Sequence, residues 1–317
     1  MVINIVSTSL PTPSLNWDTY NELLVDRNDL TRFYPQLHEG FRNLDQENQK
    51  DPQHPKKYPE ILFQILAYAK SYQRIKWRDT VGTARTLCVP FKYPVPCFAT
   101  IFNRCQELDL KSLLGKGVDA ESESEKMIEE NAIDDTGLKE KGPGEWLKKI
   151  HHPKKHRSWL KFHAIINTHN RKIRAYGMTS SSVKGKQVAS KLIHRAQRKR
   201  KMTKLFGDGE YDYKPLYNEA ETNCFEVVFR PRKDASTKAK GSPARARYIW
   251  KVKQAGWTEW KKVMEYGHRW TIEIAFSAFK RIFGDHVYSK KISSLHREIQ
   301  WKVQIYNDFM NSLNESL

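Results

Sequence analysis

The chain has 317 residues, of which 39% are hydrophobic and 37 are aromatic, enough for a sizeable core and more than one average domain needs. Its formal charge of +19 is unevenly placed: residues 1–130 hold 16 Lys and Arg against 18 Asp and Glu, and residues 131–317 hold 39 against 18. An excess of this size on one part is expected to face phosphate, so nucleic acid is the leading partner class. No run approaches the roughly 18 apolar residues of a membrane span. The opening MVINIVSTSLPTPS lacks the basic flank and long apolar stretch of a signal peptide. Cys88, Cys97, Cys105 and Cys224 form no CxxC pair and are expected to be reduced core residues of a cytosolic protein.

Residues 1–57 read as mixed and irregular, ending in the polar DQENQKDPQHPKK. Residues 58–72 predict a helix with a proline in its first turn, followed by helices over 77–87 and 98–108. These three are either a helix-turn-helix-like DNA-binding unit or an ordinary helical layer. The acidic VDAESESEK (118–126) marks a boundary between a helical domain over 1–120 and a second domain over 121–317. Strand-like runs follow at 127–134, 159–168 and 172–179, the last two forming a hairpin across His169-Asn170-Arg171. A basic helix over 184–198, a short strand over 205–208, a helix over 215–222 and a strand over 224–229 come next. Residues 232–248 are basic and small, and are expected to be mobile or ordered by DNA. Strands alternating with helices make the second domain α/β or α+β.

Residues 265–284, EYGHRWTIEIAFSAFKRIFG, predict a helix buried on nearly all sides that nevertheless carries charge. On an ideal helix Tyr266, Arg269, Glu273 and Lys280 fall within about 60° of one another, so the polar groups share one stripe. A buried carboxylate needs a cation nearby. Arg269, four residues before Glu273, supplies one as a simple intrahelical pair. The alternative is a metal-binding Glu273 flanked by phosphate-binding Arg269 and Lys280, which requires further acids at strand ends. Two places offer them: NAIDDTGLK, where a strand is expected to end at Asp134-Asp135 and turn through Thr136-Gly137, and LFGDGEYD, which presents Asp208 between glycines. Three such acids suit Mg²⁺ or Mn²⁺, and two ions held this way serve phosphodiester chemistry.

These motifs resemble the DDE transposases of bacterial and archaeal insertion sequences, whose catalytic core is ribonuclease H-like. The Tyr-x2-Arg-x3-Glu-x6-Lys signature is matched by Tyr266, Arg269, Glu273 and Lys280 with every spacing intact. DDTGLKEKGPGEWLKK resembles the first-Asp motif and GDGEYD the second, over roughly residues 127–310. The resemblance implies a mixed sheet flanked by helices, preceded by a helical N-terminal domain. It implies that Asp134, Asp208 and Glu273 bind two Mg²⁺ (or Mn²⁺) ions, and that Tyr266, Arg269 and Lys280 contact phosphates of the DNA ends. It further implies double-stranded DNA as partner, a homodimer or larger assembly on it, and a prokaryotic, nucleoid-associated location. Asp135 departs from the motif's usual small residue, and leaves Asp134 or Asp135 as the first ligand. The alternatives are a domesticated or inactive DNA-binding copy and a different ribonuclease H-like nuclease.

Outside the motifs, the histidines of HHPKKHRSWLKFH (151, 152, 156 and 163) have no zinc spacing and read as a solvated basic loop. HRAQRKRK (194–201) suits phosphate contact or a solvated helix end. Trp250, Trp257 and Trp260 are either core or a stacking platform for a displaced base.

Overall fold

The computed structural model describes residues 29–108, 129–140, 159–198, 200–289 and 291–315. The first helix among the described residues, Tyr34–Lys50 (α1), buries only Leu37, Phe41 and Leu44 along one edge. That narrow stripe in a polar run is why the sequence reads as irregular there. Next come Glu60–Tyr72 (α2), Thr80–Cys88 (α3) and Phe98–Glu107 (α4), near the expected bounds. Every residue of α2 from Leu62 to Tyr72 is buried, so this helix is enclosed on all sides. The domain boundary expected near residue 120 lies outside the described residues.

A mixed sheet follows, as expected for a ribonuclease H-like core. Its strands are Glu129–Glu140 (β1), Trp159–Asn167 (β2), Ile173–Ser180 (β3), Met202–Gly207 (β4) and Glu226–Phe229 (β5), in the order β3-β2-β1-β4-β5. The first three run antiparallel, and β4 and β5 join parallel to β1. Gly185–Gln197 (α5) and Lys214–Thr222 (α6) cover one face, packing on Ile133, Ile165, Leu205 and Val227. Pro243–Ala255 (α7) and Trp257–Val263 (α8) lead into Trp270–Phe283 (α9). After His286–Val287 (β6), which pairs with the far end of β1, Ile292–Glu315 (α10) closes the fold. The faces of α9 and α10 share a core with Ala132, Phe162, Ala164 and Phe206 of the sheet and with α2.

Three expectations are corrected. β1 does not end at Asp134-Asp135: its pairing with β2 continues through Thr136↔Phe162 and Gly137↔Lys161 to Lys139↔Trp159. Gly137 lies under the Trp159 ring, where a Cβ would come within 2.9 Å of a ring carbon, so the glycine marks close packing and not a turn. Part of the basic stretch 232–248 is helical in α7 and anchored, because Arg245 donates through Nε and Nη2 to the buried Asp212 carboxylate at 2.6 and 2.7 Å. Of the four free cysteines, Cys88 and Cys105 are buried but Cys97 and Cys224 are exposed. Among the described residues, no helix is long and apolar enough to cross a membrane.

Candidate active site

The free edge of β1 explains where the acids meet. On the side away from β2, β1 pairs with β4 from Glu129 to Ala132 and with β6 at Lys139 and Glu140. The chain leaves β4 at Gly207 between these two ladders. Ala132 stands opposite Phe206, and two residues further along each parallel strand, on the same face by alternation, come Asp134 and Asp208. Asp208 caps the short 3₁₀ turn Gly209–Tyr211 by accepting from the Glu210 amide at 2.8 Å. Asp134 accepts from the Asp135 amide at 2.8 Å. Burial, with the Asp208 and Asp135 carboxylates close by, pushes the Asp134 carboxyl up to about 7.

Glu273 reaches the same place from α9. The motif does not start as an α-helix: Tyr266–Arg269 form a 3₁₀ turn and the α-helix begins at Trp270. The ideal projection therefore fails at its first residues, yet Arg269 still meets Glu273. Its Nη1 lies 2.7 Å from Glu273 Oε1 and 3.9 Å from Asp134 Oδ2. The intrahelical pair and the convergence of acids are thus both present, with Arg269 as the bridge.

Asp135 points the other way, as strand alternation requires. Its Oδ2 accepts from Lys161 Nζ at 3.1 Å, lies 3.5 Å from His163 Nδ1, and packs near Gly185 at the start of α5. His163 is fully buried and bonded to Thr179 Oγ1 at 2.7 Å, so it is not part of a solvated loop. His151, His152 and His156 lie outside the described residues.

The remaining motif residues divide. Tyr266 is buried against Trp257 and Trp260, with its hydroxyl donating to the Gly207 carbonyl at 3.4 Å. That position braces the end of β4 and takes Tyr266 away from the surface expected to meet phosphate. Lys280 is half-buried seven residues beyond Glu273; burial pushes its ammonium down, against the opposing pull of Asp285. Trp257 and Trp260 stack on each other at 4.9 Å and serve packing, whereas Trp250 is exposed. In HRAQRKRK, Arg195 donates to the Tyr176 carbonyl and Arg200 lies 3.4 Å from Glu129. The helix α9 is not buried all round: Trp270 and Ile274 are 57% and 52% exposed, and with Ala278, Met310 and Arg171 they line an open cavity of about 410 Å³ beside Glu273.

Sequence reasoning missed a second charged group behind the acids. Glu130 Oε2 meets His268 Nδ1 at 3.1 Å, Glu130 Oε1 meets Lys204 Nζ at 2.9 Å, and Lys204 lies 3.6 Å from Glu265. The available signal was spacing alone, since Glu130 and Lys204 each stand four residues before an aspartate of the site.

A family model described as a transposase DDE domain matches residues 126–307. Among solved structures, a Mos1 strand transfer complex is similar at 13% identity, covering 75% of this chain and 81% of that one with a TM-score of 0.24. A piggyBac transposase synaptic complex with hairpin DNA is similar at 8% identity, covering 93% and 75% with a TM-score of 0.38.

Proposed function

Because the chain belongs to the transposase DDE domain family, we propose that Asp134, Asp208 and Glu273 are its catalytic acids and that it cuts and joins double-stranded DNA at the ends of its own element. The observation that carries this reading is the meeting of Asp134 of β1 and Glu273 of α9 at the Arg269 guanidinium, with Asp208, just past the end of β4, brought beside Asp134. The donor set fits a hard divalent ion. It is all carboxylate oxygen, and a carboxyl raised to about 7 beside another carboxylate is a site short of positive charge. Asp134, Asp208 and Glu273 would hold Mg²⁺ or Mn²⁺, two ions in the fullest form of the site. When bound, such ions activate an attacking oxygen and stabilise the leaving one.

The chain's own residues do the rest. Arg269 holds Glu273 toward Asp134 and neutralises part of the charge the acids place on one another. Tyr266 fixes the end of β4, from which Asp208 projects. Lys280, on the same helix as Glu273, offers a point charge to a phosphate; Arg269 suits a bidentate contact. The excess of basic over acidic residues beyond residue 130 supplies a field that draws the DNA backbone. Joining two DNA ends favours a homodimer or larger assembly, with residues 1–120 as the part that recognises end sequence.

The test is cleavage of DNA bearing the element's own ends, with Mg²⁺ and purified variants. Glu273→Gln and Asp208→Asn are expected to lose about a hundredfold or more in rate while end binding is largely kept. Asp134→Asn is expected to lose as much and Asp135→Asn much less. Undiminished cutting by both Glu273→Gln and Asp208→Asn would sink the assignment.

A further inference from the structure

The charged group behind the acids repeats the geometry of the site itself. Glu130 on β1 stands opposite Lys204 on β4, in the same register that brings Asp134 level with Asp208 four residues on. Even positions share a face, so the two tiers lie on one side of the sheet, about 13 Å apart along the strands. The intermediate tier is Ala132 and Phe206, both fully buried. His268 reaches this lower tier from the Tyr266–Arg269 turn. Its ring bonds Glu130, packs edge-on to Phe206 at 5.5 Å, and lies 6.3 Å from His169 in the β2–β3 turn. Glu265 enters the turn with φ of 53°, a left-handed conformation that a non-glycine residue holds only at a cost, and it faces Lys204.

Three of these side chains, Glu130, Glu265 and His268, lie close enough to hold a cation. Lys204 already supplies one there, so the group is closed by its own charge. We propose that Glu130, Lys204 and His268 are positioning residues: together they tie the 3₁₀ turn to β1 and β4, and so set Arg269 against Asp134 and Glu273. The turn's other ties are the Tyr266 ring against Trp257 and Trp260 and the Arg269 pairs with Glu273 and Asp134, and neither reaches the β1–β4 tier below the acids. Arg269 follows His268 directly, and Tyr266 on the turn's first residue makes a long bond to Gly207. Misplacing a charged group by about 1 Å can cost on the order of a hundredfold in rate, so a tie of this kind acts on the chemical step more than on DNA binding.

The inference rests on the catalytic reading of the acids, and the experiment separates the two. Single-turnover cleavage of end-bearing DNA at saturating protein, end affinity and thermal unfolding are measured for His268→Phe, His268→Gln and Glu273→Gln. His268→Phe is expected to slow cleavage about tenfold or more, with affinity within about threefold. His268→Gln, whose amide can still donate to Glu130, is expected to recover most of the rate. A His268→Phe protein that cleaves within about threefold of the parent overturns the tie. So does one whose rate and affinity fall together, in proportion to the fraction unfolded. Parent-like cutting by Glu273→Gln would instead remove the catalytic reading itself.

Discussion

At the scale of single residues, Asp134 makes the stability of the fold depend on pH. Its folded carboxyl is raised to about 7 by burial and neighbouring carboxylates, above its ordinary value of 3.8. A raised acid binds its proton more tightly in the folded state. Its contribution is therefore favourable below about pH 4 and is lost as pH climbs from there to about 7. Asp134→Asn is expected to stabilise the metal-free protein at pH 8, by about 1–3 kcal/mol in urea unfolding, while abolishing cleavage. Divalent ions should reverse the parent's loss, and proton release on Mn²⁺ addition near pH 7, read by calorimetry in two buffers, checks the linkage. Glu130 is the opposite case. Its hydrogen bond from His268, with Lys204 adding to it, outweighs burial and holds it at about 2. That contribution is present above about pH 4.5 and lost as pH falls toward 2, so Glu130→Gln should flatten the acid limb of the stability curve.

At the scale of elements, the loop after Asp208 is held by one buried ion pair. The Asp212 side chain has no exposed surface, and it accepts from Arg245, from Tyr217 Oη at 3.1 Å and from the Arg232 amide at 3.2 Å. Burial raises its pKa, but Arg245, the Arg232 amide and the Tyr217 hydroxyl together leave it lowered overall. Removing Arg245 strands a charge in the core, so Arg245→Ala is expected to cost about 3–5 kcal/mol. Urea unfolding measures this directly, and an unchanged midpoint would mean the loop is held elsewhere. The same elements show how far sequence reading went. The β2–β3 hairpin, the helices α5 and α6 and strand β5 were legible from period and turn residues. The extension of β1 past Gly137 was not, because Asp-Asp-Thr-Gly has turn composition and only the facing Trp159 makes it strand. Helix α10 was not read either, since its apolar positions are broken by His, Arg, Glu and Lys whose partners lie on other elements.

At the scale of the whole molecule, the N-terminal helices and the C-terminal helix share one core. Trp77 packs edge-on to the buried Trp301 at 5.6 Å, and Arg74 donates to the carbonyls of Ile282 and Arg281. Between them sits a buried group: Lys70 of α2, and Glu298 and Lys302 of α10. Burial pushes Glu298 up, but Lys302 and Lys70 more than offset it, and the carboxyl stands at about 2. Glu298 also accepts from the Tyr288 and Ser289 amides, which pins the segment after β6. Glu298→Gln leaves two buried ammonium groups with less countercharge and is expected to destabilise by about 3 kcal/mol or more. Removal of residues 1–108 should expose the shared core and cause aggregation. A truncated chain that unfolds cooperatively at the parent's midpoint would show that the two parts fold separately.

The motif and the family it resembles were legible in the sequence because spacing within one segment and residue type are local properties. The spacing of Tyr266, Arg269, Glu273 and Lys280, and the turn-like context of Asp134 and Asp208, are read directly from the chain. Tertiary structure decided what depends on partners distant in the chain. Strand alternation alone does not name the neighbours of Asp134 and Asp135; the sheet sets Arg269 beside Asp134, and Lys161 and His163 beside Asp135. Tyr266, equivalent to Arg269 in the motif, proved to be buried because two tryptophans of α8 cover it. The Glu130–Lys204–His268 group had no sequence signature, since its three members meet only through the β1–β4 register.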